Sequence, residues 1–162
     1  MQIAIITGGS RGLGRATALA LAEQGKGIIL TYNTNVAAAD AVVAEIAATG
    51  GKAVALPLDV GQADSFPAFS AAIETALADT FGQDGIDILV NNAGYGLYAP
   101  IDTVTEAQFD GLFNVHLKGP LFLTQALLPL LRTGGQMIAA LTSPSMAWVN
   151  AQCIEVAGGY CI

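Results

Sequence analysis

Charge is scarce in this 162-residue sequence: only 12% of residues are Asp, Glu, Lys or Arg, and six basic side chains stand against thirteen acidic ones. A net charge of −7 has the wrong sign for a protein that tracks a nucleic-acid backbone, so no nucleic-acid partner is expected. A neutral or shielded small molecule suits such a surface better. Cysteine is nearly absent. Cys153 and Cys161 lie in one small-residue segment, which offers neither a disulfide framework nor paired metal-ligand spacing, and no metal is expected. Long apolar runs are missing too. The most apolar stretch, residues 121–131, is interrupted by Thr124, Gln125 and Pro129 and is far too short to span a bilayer, so no membrane partner is expected. The opening residues MQIAIITGG have no basic stretch and no cleavage pattern, which argues against a secretory leader and predicts a cytoplasmic location. No repeat, linker or low-complexity tract divides the chain.

What the sequence does have is apolar material, 53% of its residues, and 19 glycines. Short apolar runs alternate with longer stretches of helical spacing. Strands are predicted at residues 2–7, 27–32, 52–58 and 86–90, with a fifth in GGQMIAALTS after a glycine turn. Helices are predicted at residues 13–24, ended by Gly25, and at 35–49, capped by Asn35 and closed by Gly50 and Gly51. Asp64 is the expected cap of a third helix, in which Phe66, Phe69, Ile73, Leu77 and Phe81 recur at helical spacing and Pro67 falls in the first turn. Thr105 and Gln108 form a capping box, and a further helix, bent or restarted at Pro120, reaches about residue 131. Strand–helix alternation with continuously apolar strands implies a parallel sheet covered on both faces. The predicted class is therefore α/β, a doubly wound Rossmann fold.

The segment TGGSRGLGR falls between the first strand and the first helix, where a doubly wound sheet binds a dinucleotide. Gly8, Gly12 and Gly14 keep side chains away from a pyrophosphate, and the helix start offers unpaired N–H groups. The spacing is not the literal G-x-G-x-x-G, and no Lys-Ser/Thr pair follows to make a mononucleotide phosphate loop. Taken alone, such a loop is as readily a structural turn as a cofactor site.

Further stretches narrow the reading. TGGSRGLG (residues 7–14), LDV (58–60), NNAG (91–94) and VHLKG (115–119) occur in the order and spacing of the short-chain dehydrogenases/reductases. The chain resembles the N-terminal part of such an enzyme over about residues 2–142. The resemblance implies a division into a partial dinucleotide-binding domain, residues 1–143, and a divergent tail, residues 144–162. It also implies that Thr7, Gly8, Ser10, Arg11, Gly12, Leu13 and Gly14 hold the cofactor pyrophosphate, and that Asp59 and Val60 meet the adenine. Asn91, Asn92, Ala93 and Gly94 would brace the sheet and pass beside the nicotinamide ribose. Alternatively, Asp59 is a strand-end cap and the two asparagines make a turn. The second strand ends LTYNTN with no carboxylate to bind a ribose 2′-OH, and Arg11 is available to a 2′-phosphate. NADP is thus expected over NAD, with Tyr32, Asn33 and Thr34 beside that phosphate.

In this family catalysis needs an Asn, a Ser, a Tyr and a Lys four residues after the Tyr, for hydride transfer between nicotinamide and a carbonyl or secondary alcohol. An unassisted Tyr has a pKa near ~10, so the adjacent cation is what makes it a base at neutral pH. The family's Asn falls on His116, either a variant proton relay or a satisfied histidine on a helix beside Phe113 and Leu117. Ser143 stands where the family's Ser belongs, with Thr142 and Ser145 as alternatives. Tyr160 is the one Tyr after it, at unfavourable spacing, and the matching Lys would fall at position 164. The tail is accordingly expected to mark a truncated or frame-shifted enzyme sequence, C-terminally incomplete. The resemblance further implies a small carbonyl or alcohol substrate, with 3-oxoacyl-carrier-protein reductases among the members to consider, and a homo-oligomer for full-length relatives. The competing expectation is a nucleotide-binding fragment without catalysis.

Overall fold

The computed structural model describes residues 1–139, so Ser143, Tyr160 and the alternatives Thr142 and Ser145 lie outside the described residues. Five parallel strands form one sheet in the order β3-β2-β1-β4-β5. They are β1 (Ile3–Ile6), β2 (Gly27–Tyr32), β3 (Ala53–Pro57), β4 (Ile86–Asn91) and β5 (Leu131–Ala139). The helices are α1 (Gly12–Glu23), α2 (Val36–Ala48), α3 (Phe66–Ala76), α4 (Glu106–Phe113) and α5 (Gly119–Leu127). This is the doubly wound α/β architecture expected from the strand–helix alternation.

All four residues of β1 are fully buried, because both faces of a central parallel strand are covered by helices. Successive side chains point to opposite faces. Ala4 and Ile6 therefore join Ile28, Leu30, Ile88 and Val90 against Ala18 of α1 and Ala39, Val42 and Ile46 of α2. Ile3 and Ile5 join Ile29 and Leu89 against Phe66, Phe69 and Ile73 of α3 and Leu123 and Leu127 of α5. Two apolar layers thus clamp the sheet and hold the carboxyl ends of its strands in place.

Caps mostly follow the sequence signals. Asn35 Oδ1 accepts from the Ala38 N–H at 3.0 Å, and Thr105 with Gln108 closes a reciprocal capping box. The cap expected from Asp64 does not form. Residues Ala63–Ser65 make a 3₁₀ turn, and the Ser65 N–H and hydroxyl both donate to the Gln62 carbonyl. A cap at Asp64 would bond the N–H two or three residues on, and the latter is Pro67, which has none.

The expected bend at Pro120 takes a particular form. Residues Asn114–Lys118 widen into a π turn that joins α4 to α5 without interruption. Pro120 gives no N–H to the His116 carbonyl and its ring crowds that oxygen, so the preceding turn loosens.

The glycine turn expected before β5 is instead an irregularity within it. Ile86 pairs with Leu131 but Ile88 pairs with Gln136, so the intervening residues bulge out, with Gly134 at φ +83°. The bulge carries Arg132 onto the base of the sheet. Its guanidinium donates to Gln83 Oε1 at 2.7 Å, Asp84 Oδ1 at 2.8 Å and Asp87 Oδ2 at 3.4 Å. Asp87 Oδ2 also accepts the Ile3 N–H at 2.7 Å, which ties the starts of β1, β4 and β5 together. The Arg132 hydrogen bond, helped by a backbone hydrogen bond, holds the Asp84 carboxyl below the usual carboxylate range. A depressed carboxylate stabilises above its unfolded pKa, and that support is lost as pH falls through the lower folded value. Asp84 is nearly fully exposed, whereas Asp87 is mostly buried and bonds the sheet backbone. Asp87→Ala is expected to destabilise the fold by about 1–3 kcal/mol, because the Ile3 N–H loses its acceptor inside the sheet. Urea unfolding of the variant checks this; a midpoint equal to that of the parent would contradict it.

Candidate functional site

From β1 the chain winds outward through β2 and β3, then returns to β4 and β5 on the other side. The carboxyl ends of β1 and β4 therefore flank the point where the winding reverses, the crevice in which open α/β sheets bind ligands. The glycine loop leaves β1 there and the Asn91–Gly94 turn leaves β4 beside it.

The two segments are bonded to each other. Thr7, 1% exposed, accepts the N–H groups of Asn92 and Ala93 on its hydroxyl oxygen, each at 2.9 Å, and donates to the Val90 carbonyl at 3.4 Å. The Asn92 side-chain amide donates back to the carbonyls of Thr7 at 2.9 Å and Gly8 at 3.3 Å. Gly8 is at φ +67°, and a Cβ there would come within 3.0 Å of Ala93 Cα. A Cβ on Gly14 would overlap both the Gly8 carbonyl oxygen and Asn92 Nδ2. The first turn of α1 can thus lie against the loop only because Gly14 has no side chain.

A cavity of about 970 Å³ opens over this junction. Ser10, Arg11, Gly12, Leu13 and Gly14 form one wall with Gly8, and Tyr32, Asn33 and Thr34 form the next. Asp59, Val60, Asn92, Ala93 and Gly94 complete the part expected from the sequence. Arg11 is exposed at the cap position of α1, in extended conformation (φ −153°, ψ 169°), with no capping bond from its side chain. Asp59 Oδ1 accepts the Gly61 N–H at 2.9 Å, so this oxygen serves a local turn, as in the strand-end alternative.

Thr7 and Asn91, expected among the contact residues, are not on the cavity wall. Thr7 stands behind it as a brace. Asn91, 7% exposed, donates from its amide to Thr124 Oγ1 of α5 at 3.3 Å. His116 is also off the wall. Its Nε2 lies 2.7 Å from the Tyr95 carbonyl oxygen, to which it donates in the Nε2–H tautomer, and its ring rests where a Gly94 side chain would be. These contacts latch the loop after β4. Residues that sequence reasoning missed also line the cavity: Thr31, Tyr95, Gly111, Asn114 and Val115. Val115 opens the VHLKG stretch and Asn114 directly precedes it, which is the available signal; Tyr95 and Gly111 have none.

The residues present suit a dinucleotide. The loop presents Gly8, Gly12 and Gly14 on the cavity wall, and the amides at the start of α1 have no partner within the helix, which suits an anion. Among the described residues no group of three His, Cys, Asp or Glu side chains is arranged to hold a metal ion. Among them, too, no helix is long and apolar enough to cross a membrane.

Fold and crevice together define a doubly wound α/β protein with a nucleotide-type glycine loop at its topological switch point. The short chain dehydrogenase family profile matches residues 2–148, and the chain belongs to that family. It is 40% identical over 137 residues to an uncharacterized oxidoreductase of Methylorubrum extorquens, covering 85% of this chain and 53% of that one. It is 36% identical to a hydroxynaphthalene reductase-like protein of Metarhizium guizhouense, covering 85% of this chain and 49% of that one. The chain thus spans about half the length of these curated relatives. Among solved structures, a short chain dehydrogenase from Burkholderia cenocepacia in complex with NADP superposes with a TM-score of 0.80 at 31% identity, covering 93% of this chain and 59% of that one. A metagenomic short-chain oxidoreductase, also in complex with NADP, gives 0.77 at 35% identity, covering 86% and 61%.

Proposed function

We propose that this chain binds NADP(H) in the crevice over β1 and β4 and serves hydride transfer between the nicotinamide and a carbonyl or secondary alcohol. The observation that carries the reading is the interlock of Thr7, Gly8, Gly14 and Asn92, which packs the start of α1 against the glycine loop at the switch point. When bound, the nicotinamide supplies or accepts the hydride. The amides at the start of α1 bind the pyrophosphate, and Asn92, Ala93 and Gly94 pass beside the nicotinamide ribose. Val60 and Asp59 form the adenine end, Asp59 through the carboxylate that also closes its turn. The NADP-bound neighbours and the uncharged end of β2 both support a 2′-phosphate between Arg11 and Tyr32–Thr34.

Arg11→Ala is expected to weaken NADPH about tenfold or more and to leave NADH within about twofold, since a charge-assisted contact to phosphate is removed and nothing else. Fluorescence titration with both reduced cofactors measures this. Tighter binding of NADH than of NADPH by the parent protein would overturn the choice of NADP.

For the chemical step, Ser143 is proposed to polarise the carbonyl. His116 is proposed to act by holding the loop after β4. A second reading, nucleotide binding without turnover, is favoured by one sequence fact: Glu155 and Val156 stand where the spacing from Ser143 would put the family's Tyr, and neither is aromatic. Turnover of a ketone panel with NADPH would exclude the second reading; cofactor binding with no turnover would exclude the first. We further propose residues 1–143 as the cofactor-binding unit, with residues 144–162 a distinct tail.

A further inference from the structure

Thr31 is the last residue but one of β2, is 1% exposed, and pairs with Leu56 of β3 in the sheet ladder. Its remaining bonds serve the glycine loop. The hydroxyl oxygen accepts the Gly8 N–H at 3.1 Å, and the carbonyl accepts the Gly9 N–H at 2.9 Å. Gly9 is drawn so close to β2 that a Cβ on it would stand 2.6 Å from Leu30 Cβ. Two consecutive loop amides are therefore committed to Thr31 of β2.

This has a consequence for anion binding. With the Gly8 and Gly9 amides committed, the donors left to an anion include those at the start of α1, where the first four N–H groups have no partner within the helix. Thr31 also directly precedes Tyr32, Asn33 and Thr34, which form the wall next to Arg11. One side chain thus joins the pyrophosphate path to the end of β2. We infer that Thr31 is a positioning residue: it fixes the glycine loop against β2, and so sets the phosphate-binding amides relative to the wall that reads the ribose. The inference rests on the proposed dinucleotide reading for what is bound, but the clamp itself is independent of it.

The test compares the parent chain with Thr31→Val and Thr31→Ser. Valine keeps the β-branched shape that suits a buried strand and removes the acceptor; serine keeps the acceptor. In Thr31→Val the Gly8 amide is expected to exchange its hydrogen on the order of tenfold faster, read by NMR without any cofactor, because a part-buried donor has lost its partner. NADPH and NADH are both expected to bind about tenfold more weakly, with the ratio between them unchanged, since the pyrophosphate is common to both. Thr31→Ser is expected to restore both readings to within about twofold. The pattern differs from Arg11→Ala, which separates the two cofactors. A Thr31→Val protein that melts lower but binds both cofactors normally would show a merely structural role and overturn the inference, as would unchanged Gly8 exchange. If the parent chain binds neither cofactor, the dinucleotide reading fails, and Gly8 exchange still decides whether Thr31 holds the loop.

Discussion

Gly14→Ala is expected to lower NADPH affinity on the order of 100-fold and to lower the melting temperature as well. Alanine is ordinarily the better helix former, and at an exposed helix position it would stabilise by about 1 kcal/mol relative to glycine. Here the sign reverses. The added methyl group would overlap the Gly8 carbonyl oxygen, which belongs to the backbone, and the Asn92 amide nitrogen. Asn92 could give way only by releasing the Thr7 and Gly8 carbonyls, each a hydrogen bond worth about 1 kcal/mol net. The Gly8 carbonyl could give way only if the loop moved off the β4 turn. Either response spoils the surface on which the phosphates would lie. Fluorescence titration and a thermal melt on one preparation check both parts, and NADPH affinity within about twofold of the parent would refute the interlock as the basis of the site.

The second large effect is on stability alone. Gly119 opens α5 at the end of the π turn, and a Cβ there would run into the Val60 carbonyl oxygen and stand 2.8 Å from the Asn114 carbonyl oxygen. Both obstacles are backbone. Gly119→Ala is therefore expected to destabilise by about 3 kcal/mol, the upper part of the range for overpacking. Gly111→Ala in α4 is the matched control. Among the described residues the only close atom there is the Tyr95 hydroxyl, 2.7 Å away at the end of a half-exposed side chain, which can swing aside. That variant is expected to be neutral or stabilised by up to about 1 kcal/mol. Urea unfolding of the pair gives the answer. Equal midpoints for the two would show that α5 can slide off the Val60 carbonyl at little cost.

Much of this architecture was legible in order of residues. The alternation of apolar strands with helical spacing predicts the doubly wound sheet, since a strand buried on both faces must be apolar throughout. Asn35 and the Thr105–Gln108 pair mark helix starts because their side chains bond amides only two or three residues away. Asp64 misled because the same local rule was defeated by Pro67. The Gly134–Gly135 pair has the composition of a turn before β5, yet it lies in a bulge, and only the pairing of Ile86 and Ile88 with β5 distinguishes the two.

By itself, then, the sequence determined what rests on short-range chemistry: strand and helix order, the caps at Asn35 and Thr105, the position of the glycine loop, and the lack of a carboxylate after β2. The tertiary structure alone decided which of those residues meet. It withdrew Thr7 and Asn91 from the cavity wall, set His116 on the Tyr95 carbonyl, and brought Thr31 and Asn92 to the glycine loop. The reason is physical. Those bonds join residues more than twenty positions apart, and their geometry depends on how closely a strand end, a turn and a helix start can approach once the two apolar layers have packed.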